Sequence, residues 1–463
     1  MRNEEDRGSF EGNETLDRHK WMDFEEDEVL DEGDSLEEDK TSDGVDDFMN
    51  NVSESLSSQI KKELGDFSET EEFETDDLDD TVKPKKSSKK RVLIITGCIL
   101  GSLLLIIGLF GKKIMYNLAA RFIHNQIENV EPTPSPIPTP ILTPTPTPEI
   151  ENNENPPDSE ISEPPEVLLP RQEDYVMTCL LFGIEEIYGA RNTDSMMLAA
   201  INTKDKTVKL ASIMRDSYVQ LPGHRPCKLN AVYAMGEDRA QGAALLVQAI
   251  EELYKIKIDA YASVNFESFE DIVDLLGGVT IELTKTERDY LNTTNYISNP
   301  ANRRVVAGVQ TLNGNQVVGY CRVRYVPTLG GAADDYGRTL RQRRVLNAIF
   351  EKYKSKGFFE LISIANTCLS YITSNLTVDQ ISKGLEMVIE NGITSLDSSR
   401  FPVEGTFYDC GTTPYNGLKY TLVCTDPIEN TSQMYQFIFG DTEEEAIEKS
   451  KRYYEDTAQT NEP

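Results

Sequence analysis

Nineteen uncharged residues in a row, Val92 to Phe110, decide how the rest of this 463-residue chain can be arranged. The run VLIITGCILGSLLLIIGLF is long enough to cross a bilayer as a helix. It is too long, and too far from the N-terminus, for a cleaved signal peptide. Six basic residues precede it closely (Lys83, Lys85, Lys86, Lys89, Lys90 and Arg91); only Lys112, Lys113 and Arg121 follow. That bias predicts a single-pass cell-membrane protein anchored over 83–113, with span 92–110, a cytoplasmic N-terminus and an extracellular C-terminal bulk. A buried core helix is the alternative, and the polybasic flank speaks against it.

Residues 1–82 carry 31 Asp and Glu against 7 Lys and Arg, with few apolar side chains. Such a segment buries too little surface to offset its ordering entropy. It is expected to be a disordered cytoplasmic tail, either serving a partner the sequence does not identify or simply solvating. Beyond the span, Glu131 to Glu149 holds eight prolines, mostly alternating with Thr and Ser. Polyproline II is expected there, and 131–170 reads as a semi-rigid extracellular linker reaching on the order of 100 Å when extended. Residues 171–445 have globular composition, enough for one domain. No CxxC spacing or histidine partner suggests zinc. Cys410 and Cys424, flanking a turn-rich stretch, are the best pair for a disulfide; free buried thiols are the alternative.

Within the outer domain, 175–184, 195–202, 207–214, 260–265 and 279–283 read as strands. Residues 239–254, 266–276, 339–353, 358–367 and 377–391 read as helices. A short helix is expected at 312–318 and a β-type run at 317–326. The alternation predicts an α/β (α+β) fold, a central mixed β-sheet flanked by helices.

The segment CRVRYVPTLGGAADDYGRTLRQRRVL concentrates the chemistry. On a strand, Arg322 and Arg324 would share a face, ~6–7 Å apart. A helix opening on the Asp334-Asp335 pair as N-cap would align Asp335, Arg338 and Gln342 on one side. Planar donors, a carboxylate and an amide together suit a phosphate or pyrophosphate. A solvated basic helix end is the alternative. Glu185, in a loop after the first strand, and Asp194, opening the second, are carboxylates suited to Mg²⁺. A turn aspartate capping its own backbone is the alternative. Arg215-Asp216 ends the third strand, where an internal ion pair is the alternative. The domain's one histidine, His224, sits in a turn, which makes a Ser-His-Asp triad or multi-histidine metal site hard to assemble.

In this order, NTDSMMLAAIN, SIMRDSYVQLPG, KLNAVYAMG, FEDIVDLLGGV, LNGNQVVGYCRVRYV and DDYGRTLRQRRVL resemble the blocks of the LytR-CpsA-Psr family. The resemblance implies an extracytoplasmic phosphotransferase of Gram-positive bacteria. Such enzymes move an anionic glycopolymer, a teichoic acid, capsule or similar, from a polyprenyl-pyrophosphate carrier to peptidoglycan as a phosphodiester. It places the metal on Asp194 and Glu185 (a Glu where Asp is usual), with Mg²⁺ as cofactor or Mn²⁺ in its stead. It places pyrophosphate on Arg215, Arg322, Arg324 and Arg338, and the helix-opening catalytic motif on Asp335, Arg338 and Gln342. The family often carries Arg two residues before the metal aspartate; this chain has Asn192 there, with Arg191 adjacent. Asp335 is the candidate for orienting or deprotonating the acceptor hydroxyl. A noncatalytic wall-binding scaffold and a membrane-bound transcriptional regulator are the competing functions. The outer domain and acidic tail argue against direct nucleic-acid binding. The expected partners are the lipid-linked glycopolymer, peptidoglycan and the cytoplasmic membrane.

Overall fold

A computed structural model describes residues 112–129 and 168–459, apart from 114 and 188–189. The acidic tail, the Val92–Phe110 run and the Pro-rich stretch through 167 lie outside these residues. Among the described residues, no helix is long and apolar enough to cross a membrane.

Apart from small two-stranded pairs such as β5 (Tyr218–Val219) with β6 (Cys227–Lys228), seven strands make one mixed sheet. Their spatial order is β1 (Glu128–Asn129), β10 (Thr373–Ser374), β7 (Ala260–Asn265), β2 (Val176–Ile187), β3 (Ala190–Asn202), β4 (Thr207–Ile213) and β11 (Ser395–Phe401). β2, β3 and β4 form an antiparallel meander, while β7 runs parallel to β2 and β11 parallel to β4. These strands read as nearly continuous apolar runs because the sheet is covered on both faces. On one face, Leu180, Phe182, Met196 and Leu198 pack against Leu246 and Ile250 of α1 (Arg239–Tyr254) and Tyr435 and Phe439 of α8 (Pro427–Phe439). α1 starts where Asp238 accepts the Gln241 N–H, the usual way an Asp N-cap satisfies a free donor.

A second core is built on the hairpin-like pair β8 (Val279–Leu283) and β9 (Gly308–Leu312). Alternation sends Val279, Ile281 and Leu283 inward and Thr280 and Glu282 outward. They meet α2 (Phe266–Leu275), α3 (Lys285–Thr293), α4 (Gly314–Arg322) and α5 (Asp334–Tyr353) through Val273, Leu291, Val317, Tyr320 and Val345. α2 and α4 approach closely: a Cβ at Gly314 would lie 2.1 Å from the Glu270 carbonyl oxygen.

A third cluster joins α6 (Phe358–Leu369) and α7 (Val378–Glu390) to a helical segment at 115–124, through Ile362, Ile381, Ala119, Ala120 and Ile123. The packed body therefore takes in residues N-terminal to the Pro-rich stretch, whereas the sequence reading began it at 171.

The expected β-type run at 317–326 is absent. Asn313 and Gln316 form a reciprocal capping box, and α4 continues through Arg322. The apolar spacing of Val317, Val318 and Tyr320 serves a helix packed on the second core, so the period-2 reading of Arg322 and Arg324 does not apply. α5 does open beside the Asp334-Asp335 pair, but its N-cap is Ala333 and neither aspartate caps it by side chain. The Cys410–Cys424 bridge is also absent. All six cysteines among the described residues are free. In the pair β12 (Phe407–Asp409) and β13 (Leu422–Cys424), Cys424 stands opposite Phe407, and the Cys410 N–H bonds the Thr421 carbonyl, so the two cysteines are out of register.

Candidate functional site

β2, β4, β7 and β11 run the same way, and the chemistry gathers beyond their C-terminal ends, where open α/β sheets commonly bind ligands. Glu185 belongs to the extended end of β2, paired with Asn192, and not to a loop. Opposite it, Gly183 pairs with Ser195 and Ile184 with Thr193, which leaves Asp194 as the extra residue of a β-bulge. A bulge re-aims a side chain that regular pleating would fix. Arg215 follows β4. Asp335, Arg338 and Gln342 come from α5, and Arg322 and Arg324 from the end of α4 and the turn after it.

The sequence-predicted residues meet. Arg215 Nη1 lies 2.6 Å from Asp194 Oδ1, and Arg338 Nη1 3.9 Å from Asp194 Oδ2. Asp335 Oδ1 is 2.8 Å from Arg338 Nη2, 3.5 Å from Arg324 Nη2 and 3.7 Å from Arg215 Nε. Arg322 Nη2 is 3.6 Å from Glu185 Oε1, and its guanidinium lies 4.9 Å from the centre of the Phe266 ring. Arg322 and Arg324 thus converge from a helix end and a loop. Gln342 is tied on both sides: its Oε1 accepts from Ser195 Oγ at 3.1 Å and its Nε2 donates to the Cys321 carbonyl at 3.4 Å. It braces α5 between β3 and α4.

Two features set the electrostatics. Arg338 is only 4% exposed, yet its Nε and Nη2 have no aligned hydrogen-bond acceptor, nor does the buried Nε of Arg215. Burial pulls the Arg338 guanidinium down to about 10, and Arg215 and Arg324 push the same way. Arg215, Arg322, Arg324 and Arg338 meet Glu185, Asp194, Asp216 and Asp335 here, and the buried Nε and Nη2 of Arg338 and Nε of Arg215 lack aligned acceptors, which an anion could supply. The two outer carboxyls are driven apart. Burial and the neighbouring Asp194 raise Glu185, whereas at Asp194 the arginines Arg215 and Arg338 outweigh burial and lower it. A divalent cation between them would relieve that repulsion. Among the described residues, no three His, Cys, Asp or Glu side chains gather as a metal group. Two carboxyl groups alone could hold only an ion that takes most of its ligands from water or phosphate oxygens, as Mg²⁺ usually does.

Asp335 lies deeper than the other two predicted carboxylates. Its side chain is less exposed than that of Asp194 or Glu185, and its oxygens are buried among guanidinium groups, so its place is to hold arginines. Arg191 lies on the sheet face opposite Asn192 and Glu185. It donates to the Gly236 carbonyl at 2.6 Å and does not join the cluster. Arg215 also pairs with Asp216 at 3.5 Å, so the internal ion pair expected as an alternative exists beside the contact to Asp194. His224 sits in an exposed turn.

Sequence reasoning missed three contributors. Phe266 carries Arg322, and its place just after a strand was the available signal. Ser195 anchors Gln342. Arg341, counted with the basic stretch, is fully buried: it bonds Glu287 at 2.8 Å and the carbonyls of Val323 and Val326. It fastens from beneath the loop that bears Arg324.

A model of the LytR_cpsA_psr family matches residues 149–433 of this chain. Among curated relatives, the polyisoprenyl-teichoic acid–peptidoglycan teichoic acid transferase TagU of Bacillus licheniformis is 33% identical over 175 residues, 37% of this chain and 51% of that protein. Biofilm regulatory protein A of Streptococcus mutans is 28% identical over 240 residues, 48% and 53%. The chain thus spans about half the length of these relatives. The crystal structure of B. subtilis TagT aligns with 57% of this chain and 92% of its own, at 26% identity and a TM-score of 0.43. With more than half its length matched by the family model, and the motif residues of that resemblance gathered in one cluster, this chain belongs to the LytR-CpsA-Psr family.

Proposed function

We propose that this protein is an extracytoplasmic phosphotransferase at the outer face of the cytoplasmic membrane, moving an anionic glycopolymer from a polyprenyl-pyrophosphate carrier onto peptidoglycan. The observation that carries this reading is the buried guanidinium of Arg338 beside Arg215 and Arg324, with its Nε and Nη2 lacking an aligned acceptor. The names of relatives such as TagU support the substrate class.

In this reading the four arginines grip the diphosphate with fork donors, and Asp335 keeps three of them aimed at it. An acceptor hydroxyl of the wall attacks the sugar-linked phosphorus. The new P–O bond forms as the bond to polyprenyl phosphate breaks, and the hydroxyl proton passes to a carboxylate at the mouth of the cluster or to water. The arginines offset the charge growing on the leaving phosphate. Glu185 and Asp194 would hold Mg²⁺ or Mn²⁺, which when bound polarises phosphate oxygens. Val92–Phe110 is read as the span that keeps the domain beside its lipid donor.

The test is transfer of a labelled glycan from a lipid-pyrophosphate donor to peptidoglycan by the full chain. Arg338→Ala should cut the rate by ~10–100-fold, as expected for a charge-assisted contact of ~1.5–3 kcal/mol, with circular dichroism unchanged. Arg338→Lys should rescue only part. A noncatalytic scaffold or regulator, the role suggested by relatives with regulatory names, predicts no transfer by wild type.

A further inference from the structure

Residues 112–129 are packed into the outer domain from the far side of the Pro-rich stretch. Tyr116 OH donates to Glu390 Oε1 at 2.6 Å, and Lys112 Nζ donates to the other oxygen at 2.8 Å. The Tyr116 ring meets Phe358 edge-on at 5.8 Å. Ala119 and Ala120 are fully buried, and Ile123 and Ile127 nearly so, against Ile362 and Ile381. β1 then extends the central sheet: Glu128 and Asn129 pair in parallel with Thr373 and Ser374. The chain re-enters the same body at Arg171. Its N–H bonds the Lys255 carbonyl at 2.8 Å, and its guanidinium pairs with Asp441 and lies 3.9 Å from the centre of the Phe439 ring. Both ends of the Pro-rich stretch are therefore fixed to one body. A spacer needs one end on the domain and the other on the anchor.

From this we infer that the domain is seated directly on the membrane surface through α6 and α7, with the Pro-rich stretch an excursion from it and not a stalk. The inference rests on Val92–Phe110 being a span. Lys112 follows Phe110 by two positions, a reach of at most ~7 Å along the backbone. Its ion pair with Glu390 then holds the C-terminal end of α7 within about one side-chain length more of the bilayer. Phe359, 42% exposed and stacked edge-on upon Phe358, lies beside that point. An exposed apolar ring suits insertion at the boundary between headgroups and acyl chains. The partner is thus the lipid surface in which a polyprenyl-pyrophosphate donor resides, so the donor need not leave the membrane plane by the length of a linker.

The experiment uses the full chain in native membranes, with a protease site inserted after Glu149. A carbodiimide activates a carboxylate and joins it to an amine with no spacer, so an efficient intramolecular amide reports two groups held within contact distance. Treatment before cleavage should join Lys112 to Glu390, so that the two fragments stay linked, with mass spectrometry locating the bond. Glu390→Gln should abolish it. If the uncut protein sediments with membranes but no such bond forms, the domain stands off on a stalk and the inference fails while the span reading survives. If the uncut protein is not in the membrane fraction, the span reading fails and the seat fails with it. A bond located at Lys112 and Glu390 in membrane-bound protein, lost in Glu390→Gln, supports the seat.

Discussion

Arg338 and Arg341 stand three residues apart on one helix, and their surroundings give them opposite tasks. Arg338 pairs with Asp335, yet its buried Nε and Nη2 have no aligned acceptor, which suits a group that binds a ligand. Arg341 has an acceptor for each nitrogen and a fully buried partner in Glu287, whose other oxygen closes the capping box of α3. Removing one side of such a pair strands a buried charge, so Arg341→Ala should destabilise by ~3–5 kcal/mol in denaturant titration. An unchanged midpoint would show that the pair carries no weight. The outer carboxyls give a separate prediction. If Glu185 and Asp194 hold a cation, chelation should abolish transfer and added Mg²⁺ or Mn²⁺ restore it, while Asp194→Asn should weaken that rescue. Full transfer in excess chelator rejects the cation site.

At the scale of elements, local signals decided most outcomes. The strands of the meander and helices α1, α2 and α7 were legible, because apolar runs and N-caps coincide with burial. The start of α4 was legible as the short helix expected at 312–318, but its continuation through Arg322 was misread because RVRYV carries a β-type pattern. The bulge at Asp194 left no trace in the sequence; it is a register event between two strands. The C-terminal elements are tied down by the Arg171–Asp441 pair, which yields a pH prediction. Burial would raise the Asp441 carboxyl, but hydrogen bonds from Arg171 and Lys449 outweigh it and hold it below its ordinary value. A group lowered in the folded state stabilises above its unfolded value and loses that contribution as pH falls through the folded one. Asp441→Asn should therefore lower Tm at pH 7, with the gap to wild type closing below about pH 4. A gap constant down to pH 3 would contradict the pairing. The free cysteines give another. Burial pushes the Cys179 and Cys321 thiols up to about 12, so both should alkylate slowly at pH 8. Nonreducing peptide mapping should find no bridge among the six, and a Cys410–Cys424 link would overturn the register of β12 and β13.

At the scale of the whole molecule, the sequence named the residues of the cluster but not how they meet. Type and spacing single out Arg215, Arg322, Arg324, Asp335, Arg338 and Gln342. Their convergence depends on contacts between β3, α4 and α5, which no local pattern encodes. The brace of Arg341 beneath the Arg324 loop and the return of residues 112–129 to the sheet edge are of that kind too. The central claim is that this assembled cluster is a diphosphate grip. Calorimetric titration of the full chain in detergent with a polyprenyl diphosphate and the matching monophosphate tests it most directly. The account predicts tighter binding of the diphosphate and a ~10–100-fold loss of that affinity in folded Arg338→Ala. Equal affinity for the two lipids, unchanged in Arg338→Ala, would contradict it.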